Sequence, residues 1–177
     1  METVVKETLR NILKLEREQR DKNKLEGNKD DMKMEIDAIL NYCKSVAQNS
    51  KAERLKVGCV IFLENPFTLI SIGFNGMPEG MDQCCEVLAN LPNPNFPIGL
   101  VTKPEVIHAE FMAIGAAIKN TWRNCLPEST MLITHSPCME CAKLIYVSGI
   151  KHVIYETQYR DTKGIDFLKE LGVNVEQ

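Results

Sequence analysis

The stretch HAEFMAIGAAIKN, residues 108–120, places a histidine and a glutamate two residues apart at the head of an otherwise apolar segment. Further along, THSPCMECAKLIY carries Cys138 and Cys141 in C-x-x-C spacing, again at the head of an apolar segment. A helix N-terminus carries partial positive charge, which favours thiolate over thiol. Two thiolates three residues apart can grip one face of a zinc ion, and His108, opening the preceding helix, can supply a third ligand. Three protein ligands leave the fourth tetrahedral position open, the arrangement of catalytic sites, where zinc lowers the pKa of water from about 16 to about 7. Glu110 need not be a ligand: beside that water it can carry protons.

Other chemistry fits parts of this pattern. A lone C-x-x-C can be a redox pair, and a structural zinc would take a fourth ligand from Cys125 or from Cys84 and Cys85. A zinc-stabilised binding module without activity is a third reading, but it has no use for the Glu110 carboxylate. His135 and His152 read as surface or core residues. The ordered combination H-x-E then P-C-x-x-C is more specific than any of its pieces.

These groups must be carried by elements that the rest of the chain predicts. Val5, Leu9, Ile12 and Leu13 have helical spacing within residues 1–27, and Gly27 reads as a stop. From Met32, the series Ile36, Ile39, Leu40, Cys43, Val46 and Ala47 marks an amphipathic helix. LKVGCVIFL and TLISIGF read as a strand hairpin, and residues 75–105, rich in Pro and Gly, read as one long loop. A helix over 108–119, the strand TMLITHS and a helix over 138–148 stopped by Gly149 follow. Pro137 takes its first helical position. Then come the strand HVIYET, the helix IDFLKELG and the short strand VNVE. Strands alternating with helices after an opening hairpin predict a three-layer α/β/α sandwich around a five-stranded mixed sheet. Residues 1–30 read as an N-terminal helical extension and 31–177 as the catalytic domain.

Composition narrows the function classes. The 177 residues carry a net charge of −3, which offers no global attraction for nucleic acid or an anionic membrane. No run has the length of a membrane span and no secretory signal is visible, so a cytoplasmic setting is expected. Seven cysteines without a disulfide framework agree with it.

HAE at 108–110 with PCMEC at 137–141 resembles the zinc-dependent cytidine/deoxycytidylate deaminase superfamily, whose signature is H-x-E followed by P-C-x-x-C. GFNGMPEGMDQCCE, SPCMECAKLIYVSGIKHVIY and YRDTKGIDFLKELGV are most similar to deoxycytidylate (dCMP) deaminases. The resemblance runs from about Met32 to Glu176. It implies zinc on His108, Cys138 and Cys141, with Glu110 moving protons between water, the cytosine ring and the departing amine, to give dUMP for thymidylate synthesis. It further implies substrate contacts at Asn75 and Ala109. Asn75 also reads as a turn residue ahead of Gly76. A 5′-phosphate needs cations, for which Arg54 and Lys56 are the local candidates, followed by Lys119 and Arg160. Gly73, Phe74, Asn75 and Gly76 resemble part of an effector site at which dCTP activates and dTTP inhibits. A homo-oligomer, often a hexamer, is implied as well.

One position departs from the pattern. Many dCMP deaminases read H-A-E-x-N-A-I, whereas Met112 stands at the asparagine, as in tRNA adenosine deaminases. The alternative substrates are therefore another cytosine nucleoside or nucleotide, or adenosine in tRNA. The acidic balance argues against nucleic acid.

Overall fold

The apolar runs GCVIFL and TMLITH lie side by side inside one sheet, as β1 (Gly58–Leu63) and β5 (Thr130–His135) of this computed structural model. Residues 36–64, 66–90 and 98–177 are described. Five of six residues are buried in each strand, so each needs cover on both faces. The sheet runs β2-β1-β5-β6-β7, with β2 at Thr68–Phe74, β6 at His152–Thr157 and β7 at Asn174–Glu176. β1 is antiparallel to β2 and β5, while β5, β6 and β7 are parallel. This is the five-stranded mixed sheet expected from the strand and helix alternation.

Helices α2 (Ala109–Lys119), α3 (Met139–Ser148) and α4 (Lys163–Glu170) cover one face. There Ala113, Ile114, Ile145, Ile165 and Leu168 share a core with Cys59, Ile61, Met131 and Ile133. Each fully buried Ile or Leu contributes roughly 1.5–3 kcal/mol. On the other face, the helical residues 36–47 (α1) bring the Cys43 thiol to the Leu132 carbonyl at 3.5 Å. Ile39–Gln177 form one compact unit. The helix read over residues 1–27 and the boundary at residue 30 lie outside the described residues.

Three local differences from the sequence reading have clear causes. Residues 75–105 are not one loop: β3 (Glu86–Asn90) and β4 (Ile98–Thr102) pair antiparallel, with Glu86 opposite Thr102. EVLAN and IGLVT contain strand formers, but the prolines around them read as loop punctuation. Pro137 precedes α3 rather than opening it, because Cys138 has an extended backbone (φ −71°, ψ 170°) and is the N-cap. A 3₁₀ segment at Trp122–Glu128, entered through Thr121 at φ 68°, joins α2 to β5 and was not foreseen.

Two glycines let helices approach the chain closely enough to set the loops above the sheet. A Cβ on Gly73 would fall 2.2 Å from the Ala109 carbonyl oxygen and 2.5 Å from the Ala113 nitrogen. A Cβ on Gly164 would fall 2.1 Å from the Pro137 carbonyl oxygen. Both obstacles are backbone and cannot rotate away. Gly73→Ala should therefore cost about 2 kcal/mol or more of folding stability in denaturant titrations. Gly76→Ala, whose Cβ would meet nothing within 4 Å, should stay within about 0.5 kcal/mol.

Candidate active site

Helices α2 and α3 both begin at the end of the sheet where β5 finishes, and each spends its N-cap position on a metal-ligand type. His108 (φ −73°, ψ 156°) caps α2 and Cys138 caps α3. Ser, Thr, Asp or Asn at an N-cap would stabilise a helix by about 1 kcal/mol relative to Ala. Neither His108 nor Cys138 makes a side-chain capping bond. Their side chains turn toward each other instead, and Cys141, one turn into α3, completes the group. A two-bond bridge between Gly76 and Ile107, at 3.0 and 2.9 Å, fixes the chain entering His108.

His108 Nδ1 lies 3.2 Å from Cys141 Sγ and 3.6 Å from Cys138 Sγ, and all three donor atoms fall within 4.8 Å of one another. With zinc–nitrogen bonds of about 2.0–2.1 Å and zinc–sulfur bonds of about 2.3 Å, tetrahedral N and S ligands sit roughly 3.6 Å apart. The donor set and its spacing fit zinc. Cys84 and Cys85 belong to the hairpin side and Cys125 to the 3₁₀ segment, and among the described residues none joins this group.

The protonation pattern follows from the crowding. The hydrogen bond from Cys141 pulls Cys138 down to about 3 against the cost of burial, with His108 assisting. Cys141 is pushed up by the same hydrogen bond and by its own burial. His108 is raised, chiefly by its hydrogen bond to Cys138, with burial opposing. Glu110 is 4% exposed and its carboxyl is raised by desolvation. A buried carboxylate poised to take up a proton suits general acid–base work.

His108, Glu110 and Cys138 line a cavity of about 280 Å³. Its wall brings together Asn75, Ala109, Arg54 and Arg160 as the sequence suggested, but not Lys56 or Lys119. Lys56 is exposed, and Lys119 ends α2, away from the helix N-terminus that meets the cavity. Asn75 is not a simple turn residue. Its Oδ1 accepts the Val57 N–H at 2.8 Å and its Nδ2 donates to the Leu55 carbonyl at 2.9 Å, tying β2 to the segment before β1. Gly73 and Gly76 serve packing and the bridge to Ile107, and Phe74 closes β2. Met112 sits on α2 against Gly73 and does not line the cavity.

Sequence reasoning missed Glu86, Thr102, His135, Ser136 and Tyr159, all of which line it. Ser136 Oγ accepts the Tyr159 N–H at 2.7 Å, so the loop after β6 is anchored beside Cys138. Arg160 lies over the Tyr159 ring at 5.1 Å. Among the described residues, neither Arg54 nor Arg160 pairs with a carboxylate. His152, by contrast, lies at the opposite end of the strands between Glu64 and Glu176.

Residues 34–157 match the cytidine and deoxycytidylate deaminase zinc-binding region, and the chain belongs to that family. It is 33% identical over 175 residues to deoxycytidylate deaminase of Enterobacteria phage T4, covering 80% of this chain and 89% of that one. The human deoxycytidylate deaminase is 38% identical over 120 residues, covering 66% of this chain and 61% of the human one. Among solved structures, dCMP deaminase of cyanophage S-TIM5 in complex with dCMP and dUMP superposes with a TM-score of 0.65 at 33% identity. The match covers 80% of this chain and 95% of that one.

Two outcomes follow from the geometry. Cys138→Ala and Cys141→Ala should each lose bound zinc, while Glu110→Gln keeps it, as read by elemental analysis of the purified proteins. His135 is lowered from its ordinary value of 6.5 by burial, with Glu156 partly opposing. Between its folded and unfolded pKa the unfolded chain binds more protons. This contribution to stability is therefore full above about pH 6.5 and lost as the pH falls below it. His135→Gln should flatten that part of the stability–pH curve in urea titrations.

Proposed function

We propose that this protein hydrolyses dCMP to dUMP and ammonia, supplying dUMP for thymidylate synthesis. The observation that carries the reading is one cavity lined by His108 and Cys138 of the metal-ligand group, by Glu110, and by two arginines, Arg54 and Arg160, whose guanidinium groups form no salt bridge among the described residues. The first set suits attack on an amino-substituted ring carbon, and the second suits a phosphate. The T4 and human relatives are deoxycytidylate deaminases, and the S-TIM5 structure holds dCMP and dUMP. A cavity of about 280 Å³ suits a mononucleotide.

Zinc on His108, Cys138 and Cys141 supplies Lewis acidity that makes water acidic enough to attack near neutral pH. Glu110 accepts a proton from the attacking water and passes it to the ring nitrogen beside carbon 4. It then takes the second proton from the oxygen now on carbon 4 and delivers it to the exocyclic amine, which leaves as ammonia as the carbon–nitrogen bond breaks and the carbon 4 carbonyl forms. Ala109, between ligand and base and wholly buried, holds its backbone at the cavity floor. Asn75 keeps the wall that faces the sugar in register. Reduced thiols at 138 and 141 suit a cytoplasmic setting.

The same proposal takes residues 31–177 as the catalytic domain, a homo-oligomer as its working form, and dCTP and dTTP as effectors. The first two rest on the family resemblance, and the effectors on the likeness of Gly73–Gly76. With the phosphate-bearing substrate, turnover of dCMP should exceed that of deoxycytidine by at least about 100-fold in kcat/KM, as one or two charge-assisted contacts imply. Equal rates would remove the nucleotide reading. Glu110→Gln should lower kcat by about 10²–10⁴ at unchanged zinc content.

A further inference from the structure

The base of the β3–β4 hairpin grips Arg54 at two points. Glu86 opens β3 and Thr102 closes β4, directly opposite each other in the register. Glu86 Oε2 accepts the Glu53 N–H at 3.2 Å, and Oε1 accepts the Arg54 N–H at 3.4 Å. Thr102 Oγ1 accepts from Arg54 Nη1 at 3.0 Å. The carboxylate therefore fixes the backbone of Arg54 while the hydroxyl fixes its guanidinium.

Glu86 is otherwise out of place. It is 5% exposed, lines a cavity suited to an anion, and among the described residues pairs with no cation. A buried carboxylate is tolerated only when its oxygens are hydrogen-bonded, and here the bonds come from the 53–54 backbone. Left free, its charge would repel a phosphate. Arginine has a long side chain with much rotamer freedom, and fixing it beforehand removes that cost from binding.

We propose that Glu86 and Thr102 are positioning residues that preorganise Arg54 for the substrate's phosphate, so that the hairpin base sets selectivity for a nucleotide over its nucleoside. This rests on the dCMP reading above.

The test is steady-state kinetics of the zinc-loaded enzyme with dCMP and with deoxycytidine. The variants are Arg54→Ala, Glu86→Ala, Glu86→Gln, Thr102→Val and the Arg54→Ala/Glu86→Ala double variant. Glu86→Ala should raise KM for dCMP about tenfold with kcat within about twofold. Glu86→Gln, which keeps one acceptor, should recover part of that, and Thr102→Val should raise KM about threefold. The double variant should be no worse than Arg54→Ala alone, since a positioning residue has nothing to position once the arginine is gone. Full additivity, an unchanged KM in both Glu86→Ala and Thr102→Val, or a loss falling on kcat alone would overturn the proposal. Because Ala52, Met77, Cys85 and Val106 pack beneath this corner, Glu86→Ala could fail to fold. Thr102→Val, nearly isosteric, then decides through its KM and through an Arg54→Ala/Thr102→Val double variant, which should be no worse than Arg54→Ala alone. Equal use of dCMP and deoxycytidine by the unaltered enzyme would instead bring down the nucleotide reading and this proposal with it.

Discussion

Everything at this site depends on two helix N-termini being held so close that one histidine nitrogen and two sulfurs fall within 4.8 Å. Neither helix can do this alone, because its first residues are the least constrained part of it. The sheet supplies the constraint. β1 and β5, buried on both faces, form a rigid floor, and α2 and α3 pack on it through Ile114 and Ile145. Gly73 brings β2 against Ala109, between ligand and base, and Gly164 brings α4 against the Pro137–Cys138 backbone. Backbone-to-backbone contact at these points leaves little play in the donor atoms.

The site also shows where stability was given up. Both N-caps carry residues that do not cap, and Glu110 is buried with its charged form disfavoured. Each of these choices works against folding and in favour of chemistry, a pattern expected of functional positions. The compensation is the apolar core of the helix-covered face, which is contiguous from Cys59 to Val175.

The chemical residues were legible in the sequence because their spacing is local. H-x-E and C-x-x-C are each read within one helical turn, and apolar periodicity placed a helix behind each. The five-stranded mixed sheet also followed from the alternation of elements, whereas its strand order, β2-β1-β5-β6-β7, did not. The cavity wall was not legible, for a physical reason: it is made by contacts between segments distant in sequence. Glu86 reaches Arg54 across 32 residues, and Tyr159 reaches Ser136 across 23. Prolines and glycines around EVLAN and IGLVT hid the hairpin that carries Glu86 and Thr102. Among the cations, proximity in sequence could not separate Arg54, which points into the cavity, from Lys56 two residues on.

The central claim is hydrolytic deamination at carbon 4 of a cytosine nucleotide, and its most direct measurement is isotopic. Turnover of dCMP in water enriched in oxygen-18, followed by mass spectrometry of the product, should give dUMP carrying one heavy oxygen and one ammonia released per dUMP. No dUMP from the zinc-loaded protein, or dUMP without the heavy oxygen, would contradict the account.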